Sequence, residues 1–307
     1  MQLKLDEKKI RKGRPIGLPY IGSKKKISKK LIEIIKQNFG TDKTVYDLFG
    51  GGGAITLECR LQDIDVVYND IDPIPGQMIQ KILSEDREYL KTLICSREEF
   101  FKIREKEDKS IDDHLKLLVN SFGNDSKSYL YGKEFSDFKY KLARKIIANH
   151  DCFKGYKQTE TYKKAVQETK NITQLKQLKQ IQQLERLEQL ERLAQLKRMK
   201  VIPKLEIHNK DYREFSNVKN SIIYLDPPYK DTSKVYKHNN LDYDNFYKWC
   251  KDMSKDNIVL ISGYNMPDDF EVVYEFTKAK STMQGGRHKS KYEKLYMINK
   301  GRVQYDL

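Results

Sequence analysis

One segment restricts the fold of this chain more than any other: Val45-Tyr46-Asp47-Leu48-Phe49, then Gly50-Gly51-Gly52-Gly53, then Ala54-Ile55. A β-branched and aromatic run that breaks into glycine and resumes with helix formers predicts a strand, a tight turn and a helix over residues 54–61. Successive glycines let a ligand approach the backbone where side chains would block it, and they leave the first helical N–H groups open. Such a unit belongs in an α/β sheet with a cofactor at the turn.

What is missing narrows the cofactor. The dinucleotide fingerprint G-x-G-x-x-G fails in both frames because Ile55 and Thr56 occupy the two possible third-glycine positions, which disfavours close packing on a pyrophosphate. Residues 17–24 approach a phosphate-binding loop, but Ser23 precedes Lys24 and no strand leads in. About twenty residues past the glycines, the next strand ends in Asn69-Asp70-Ile71-Asp72, and an acid at that distance is placed to accept hydrogen bonds from ribose hydroxyls. Together these features suit an adenosine cofactor without a pyrophosphate.

A second stiff element is Ile222-Ile223-Tyr224-Leu225-Asp226-Pro227-Pro228-Tyr229. Each proline lacks an N–H and restricts the residue before it, so this corner offers the Asp226 carboxylate and backbone carbonyls but few donors. It suits a substrate group that only donates, such as an exocyclic amine. The lone pair of such an amine is delocalised into its ring. Hydrogen bonds from its two hydrogens to Asp226 and the Pro227 carbonyl would draw the nitrogen towards tetrahedral geometry and aim the lone pair at a sulfonium methyl. Such an in-line displacement needs no metal and no covalent intermediate. Tyr229 would stack on the base, which must leave a duplex to reach the pocket.

Strand-like runs at residues 45–49, 65–69, 221–225, 257–264, 271–276 and 294–299, with helical patterns between several of them, predict a mainly parallel sheet. Between them, Glu, Lys, Leu and Gln dominate a long stretch without strand signals. The expected organisation is an α/β domain of residues 1–76 and 201–307, interrupted by a mainly helical insertion at 77–200. Within it Leu175, Leu178, Ile181, Leu184, Leu187, Leu190, Leu193, Leu196 and Met199 recur every third residue. An α-helix turns about 100° per residue, so this spacing drifts about 60° per step and makes no single apolar face. An α-helix and a stack of short turns, as in a small solenoid, both stay open; a coiled coil needs alternating spacings of three and four and fits less well.

Lys plus Arg number 59 against 44 Asp plus Glu, a formal net charge of +15, and such an excess attracts polyanions through phosphate contacts and counterion release. The Cys and His residues are scattered without a C-x-x-C pair, so neither disulfides nor a metal site are expected. No segment approaches the roughly 18 uncharged apolar residues of a membrane span. A soluble, cytoplasmic protein is expected.

In order along the chain, Pro19-Tyr20-Ile21-Gly22-Ser23-Lys24, Asp47-Leu48-Phe49 with its four glycines, Asn69-Asp70-Ile71-Asp72, and Asp226-Pro227-Pro228-Tyr229 resemble the motifs of Dam-like, D12-class adenine-N6 DNA methyltransferases of the α group. The resemblance implies a class I S-adenosylmethionine-dependent methyltransferase fold, a Rossmann-like α/β sheet, with the helical insertion as target-recognition domain. It implies S-adenosylmethionine as cofactor, held by Tyr20, Lys24, Asp47, Phe49, Gly51, Gly53, Asp70, Ile71 and Asp226. Catalysis then falls to Asp226, Pro227, Pro228 and Tyr229. Tyr20 stands where a Trp is often found and Ser23 where a Gly is frequent. Ser121-Phe122-Gly123-Asn124 with Tyr131-Gly132-Lys133 is similar to the segment that opens the DNA-reading region, and Lys127, Lys133, Lys139, Lys141, Arg144 and Lys145 are candidates to meet phosphates. Residues 287–296 are similar to the closing strand region, whereas the leucine repeat looks like an insertion of phage-type relatives.

The implied partner is double-stranded DNA from which an adenine is flipped, read site-specifically. The implied setting is a bacterial or phage-infected cell, with or without a restriction partner, and a monomer is favoured. The alternatives are N4-cytosine methylation of DNA, against which Asp rather than Ser at position 226 argues, methylation of an RNA amine, and a catalytically inactive DNA-binding relative.

Overall fold

The apolar run that leads to Asp226 forms a strand, β4 (Ile222–Leu225), buried on both faces. Ile222 and Tyr224 join one core with Leu31, Ile35 and Val45, while Ile223 and Leu225 join another with Phe246 and Trp249. Side chains of a strand alternate between its faces, and a parallel strand covered on both reads as an unbroken apolar run. The cover comes from α1 (Ser28–Phe39), through Leu31, Ile32, Ile34 and Ile35, and from α10 (Tyr243–Met253), through Phe246, Trp249, Cys250 and Met253. Each such side chain contributes about 1.5–3 kcal/mol when fully buried.

On one side of β4 lies β1 (Val45–Asp47) and on the other β5 (Ile258–Gly263), both parallel to it. Beyond β1 come β2 (Val66–Asn69) and β3 (Ile207–His208), again parallel. Beyond β5 come β7 (Tyr292–Ile298) and β6 (Phe270–Lys280), antiparallel to their neighbours. The sheet therefore has seven strands in the order β3-β2-β1-β4-β5-β7-β6, mainly parallel as the sequence predicts. Strand β3 is a correction: two residues long, it has no length over which an alternation could register, and its pairing with Tyr68 and Asn69 defines it.

The structure describes residues 2–169, 178–199, 205–228, 241–280 and 292–299. The chain divides into two units, one of Met1–Ile16, Gly22–Gly76 and Val201–Leu307, the other of Gly17–Ile21 and Gln77–Lys200. In the first unit the basic N-terminal segment is strapped to the sheet domain. Leu3 donates its N–H to the Val273 carbonyl at 2.9 Å, Asn38 and Gln37 bind the backbone of Lys4 and Asp6, and the Arg11 guanidinium grips Glu58 with two bonds of 2.7 and 2.9 Å.

The second unit is helical: the part of α3 (Pro73–Ser84) from Gln77 on, then α4 (Arg87–Lys91), α5 (Arg97–Arg104), α6 (Ile111–Asn120), α7 (Lys133–His150), α8 (Glu160–Glu168) and α9 (Gln182–Gln195). Short polar residues stop and start these segments. Asp86, Ser96 and Thr159 each accept an N–H of the following first turn, and Ser110 with Asp113 closes a capping box at α6.

The described part of the leucine repeat runs from Leu178 and is formed mainly by α9, with a 3-10 turn at Leu196–Met199, which decides for the helix over stacked turns. Leu184, Leu187, Leu190, Leu193 and Leu196 are all at most 2% exposed although they sweep about 240° around the axis. The drift is harmless because α9 is an interior helix, packed against α4 and α6 among others. An amphipathic stripe is required only of a helix with one covered side. Leu175 lies outside the described residues. Among those described, no helix is long and apolar enough to cross a membrane, and all four cysteines are free thiols.

Candidate active site

Strands β1 and β4 are neighbours, yet the chain leaves β1 towards β2 and leaves β4 towards β5. At such a switch point the connections diverge, and ligands bind outside the carboxyl ends of the strands. Asp47 is in register with Tyr224 of β4 and with Tyr68 of β2, and Leu48 extends the pairing with an N–H to the Tyr224 carbonyl at 3.2 Å. The glycine turn, the Asp70 turn and the Asp226 corner therefore leave the same edge of three adjacent strands.

Three of the four glycines, Gly50, Gly51 and Gly53, have a physical reason. A Cβ on Gly50 would lie 2.3 Å from the Tyr68 ring, so only glycine lets the turn sit on that ring. The Tyr68 hydroxyl donates to the Gly51 carbonyl at 2.8 Å. Gly51 and Gly53 take φ of 45° and 71°, the left-handed region that costs other residues energy, and Gly53 caps α2 (Ala54–Arg60). Asp47 is buried beneath the turn, where its Oδ2 accepts from the Thr56 hydroxyl at 2.6 Å and the Thr56 N–H at 3.2 Å. The strand end and the helix start are thus tied by one carboxylate. Asp70 braces the turn from the side, its Oδ2 accepting the Gly51 N–H at 2.8 Å and its Oδ1 the Asp72 N–H at 2.9 Å.

Asn69 was not expected among the site residues. Its buried amide donates to the carbonyls of Leu48 and Lys210 and accepts the Lys210 N–H, clamping the ends of β1, β2 and β3 together.

Lys24 ties the remaining acids together. Its Nζ lies 2.6 Å from Asp226 Oδ2 and 3.1 Å from Glu293 Oε1, with all three side chains at most 15% exposed. Glu293, on β7, enters from beyond β5 and was singled out by no sequence argument. Burial pushes the Asp226 carboxyl above the usual range; Lys24 opposes this, while Glu293 and Asp70 add to it. Burial likewise raises Asp47 to about 7 against the Thr56 hydrogen bonds, with Asp226 and Asp70 contributing. Carboxyl groups raised by neighbouring carboxylates, as Asp47 and Asp226 are, lie in negative potential. That potential fits a cofactor carrying a sulfonium and an ammonium, and Ile71 beside Asp70 is 54% accessible.

Other expected site residues fall differently. Phe49 turns its ring into the core, stacked on Tyr212 at 5.9 Å and edge-on to Phe246, so its local role is to anchor the turn. Pro227 is buried and Pro228 half-buried, and the Pro228 carbonyl accepts from the Tyr243 hydroxyl of α10 at 2.5 Å. Tyr20 lies in Gly17–Ile21, which groups with the helical unit. Tyr229 lies outside the described residues. Of the lysines expected to meet phosphates, Lys139 is a correction: it is 5% exposed, sits over the Tyr131 ring at 4.4 Å and donates to the Gln180 carbonyl at 3.2 Å. Its position on α7 faces the helical core, and a charge held there is unavailable to DNA.

Strand order, glycine turn at the switch point and acidic strand ends define a class I S-adenosylmethionine-dependent methyltransferase. The family described as D12 class N6 adenine-specific DNA methyltransferase matches residues 20–283, and the chain belongs to it. Its reaction is transfer of the S-adenosylmethionine methyl group to N6 of adenine in DNA. No curated protein gives a significant match to the chain.

Proposed function

We propose that this methyltransferase acts on an adenine swung out of duplex DNA at a specific site, with Asp226 as the acceptor for the adenine amine. The observation that carries the reading is the Lys24-bridged Asp226 at the end of β4, on the strand next to the glycine turn. The cofactor supplies an electrophilic methyl group on sulfur. Asp226 and the Pro227 carbonyl accept the two amine hydrogens and bring the lone pair to bear, a contribution of positioning and electrostatics. When the amine takes the Asp226 oxygen, Glu293 keeps the Lys24 ammonium paired. The proton shed by the nitrogen after transfer passes to Asp226, whose raised pKa suits it to receive one. Asp70 and Ile71 receive the cofactor's ribose and adenine, Gly51 and Gly53 admit its backbone-side edge, and Lys24 lines its methionine end. Tyr229 stacks on the target base.

The helical unit reads the DNA. Phe122, 63% exposed, stands on a braced loop: its N–H donates to the Ser128 carbonyl at 2.6 Å, Asp125 Oδ1 accepts the N–H groups of Lys127 and Ser128, and Arg104 donates to the Lys127 carbonyl at 3.0 Å. An apolar side chain held in water on a rigid loop suits a wedge between base steps. Lys127, Lys133, Lys141, Arg144 and Lys145 are exposed and supply phosphate contacts. The enzyme works as a monomer in the cytoplasm of a bacterial or phage-infected cell, alone or beside a restriction nuclease; light scattering tests the monomer.

The deciding experiment is methyl transfer from labelled cofactor to duplex, single-stranded DNA and RNA, followed by mapping of modified adenines. Transfer to one sequence context in duplex is expected, with Phe122→Ala weakening duplex binding about tenfold. Equal transfer to single strands without context would refute the duplex reading.

A further inference from the structure

The leucine repeat is the one sequence motif that the chemistry leaves without a task, and residues between its leucines carry one. Gln183, fully buried on the first turn of α9, directs its amide Nε2 to the Cys95 carbonyl at 3.1 Å, Asn120 Oδ1 at 2.5 Å and the Tyr129 hydroxyl at 3.2 Å. One turn on, Arg186 Nη1 donates to the carbonyls of Leu118 at 2.7 Å and Val119 at 3.0 Å. These belong to the last turn of α6, where the helix dipole concentrates negative charge.

Asn120 and Tyr129 form the base of the Phe122 loop. Leu130 donates its N–H to the Asn120 carbonyl at 2.8 Å, and Ser121 bridges Tyr129 across the two stems. Two side chains of the inserted helix therefore hold both stems from behind.

The orientation of the Gln183 amide follows from its neighbours. Asn120 commits its Nδ2 hydrogens to the carbonyls of Leu93 and Lys116, so its Oδ1 faces Gln183, which must present N–H groups. That leaves Gln183 Oε1 buried with no partner among the described residues. An orphaned buried acceptor is destabilising, and a Leu or Met here would extend the helix without it. Stability alone does not account for this amide.

We propose that the leucine-repeat helix is a positioning element for DNA reading, in which Gln183 and Arg186 hold the two stems so that Phe122 is presented in one pose. This rests on the reading that Phe122 enters the DNA. Gln183 touches no DNA; it acts through Phe122.

The test is a double-mutant cycle of Gln183→Met and Phe122→Ala in the full-length enzyme, followed by KM for duplex and for S-adenosylmethionine, kcat, and the fluorescence of 2-aminopurine at the target position. Gln183→Met is expected to raise KM for duplex about tenfold and reduce the flipping signal, with KM for S-adenosylmethionine changed less than twofold. In the Phe122→Ala background the same substitution should change KM for duplex less than twofold. Leu190→Val on the same helix should lower Tm without moving KM for duplex. Tyr129→Phe, which removes one hydroxyl and keeps the shape, should give about a threefold rise with the same non-additivity, and replaces Gln183→Met if that variant does not fold. If the two substitutions multiply, or the pin variants leave KM for duplex unchanged while Phe122→Ala weakens binding, the positioning role is wrong. If Phe122→Ala itself has no effect, the reading of Phe122 fails and this proposal falls with it.

Discussion

The acidic strand ends of the catalytic unit and the cluster around Gln183 in the helical unit bury polar groups in opposite ways. In the first, Asp47, Asp70, Asp226 and Glu293 are ionisable: Asp70 and Asp226 raise Asp47, and Glu293 and Asp70 raise Asp226, with Lys24 bridging Asp226 and Glu293. In the second, Asn120, Gln183 and Tyr129 are neutral and, Gln183 Oε1 apart, settle by hydrogen bonds. A buried charge without full compensation costs far more than a neutral group that finds partners. The first arrangement is tolerated where a cationic ligand is to arrive; the second holds a shape.

Four substitutions test this contrast. The largest effect belongs to Asp226→Ala, expected to lower kcat at least about a thousandfold, roughly 4 kcal/mol of transition-state stabilisation, while DNA affinity in a filter-binding assay changes little. Retained turnover would remove Asp226 from the chemistry. Leu187→Ala, in the interior helix, should instead cost about 2–5 kcal/mol of stability, read by denaturant midpoint; a change under 1 kcal/mol would mean α9 is not packed as described.

Glu293→Gln comes next, with kcat expected to fall about tenfold, about 1.4 kcal/mol, because Lys24 then loses the Glu293 carboxylate that shares it with Asp226. Since the Glu293 charge raises the Asp226 pKa, the acid limb of the kcat profile should also move to lower pH. An unmoved limb separates Glu293 from Asp226. Asp47→Asn should give the smallest change. A carboxyl whose folded pKa is raised from 3.8 to about 7 contributes stability that is present below pH 4 and lost as pH rises through 7. The amide variant should therefore gain on the order of 1 kcal/mol over the parent at pH 8 and show no gain at pH 4. A gain independent of pH would exclude the titration as its cause.

The parts of the site legible in the sequence were those in which one short segment carries both the geometry and the chemistry. The glycine turn, Asp70 and the Asp-Pro-Pro corner are of this kind, because a φ above zero, a close backbone approach or a missing N–H is written into the residue type. Glu293 was not legible: it reaches Lys24 from β7, 67 residues beyond Asp226 in the chain, and no local pattern marks such an approach. Lys139 misled, since a lysine on a helix face looks the same in sequence whether it meets water or, as here, an aromatic ring and a carbonyl. Phe49 was legible as part of a motif, but the direction of its ring was not.

The leucine repeat divides the two kinds of information most clearly. Its spacing determined that apolar groups would be spread around a cylinder, and helix propensity favoured that cylinder being an α-helix. Whether all of it could be buried depended on how many neighbours surround it, which is a property of tertiary packing. Residue types alone set the α/β class, the glycine turn and the proline corner, because these follow from backbone restrictions of single residues. Which carboxylates share Lys24 and which amides pin the Phe122 loop is set by packing, because those interactions act through space between segments far apart in the chain.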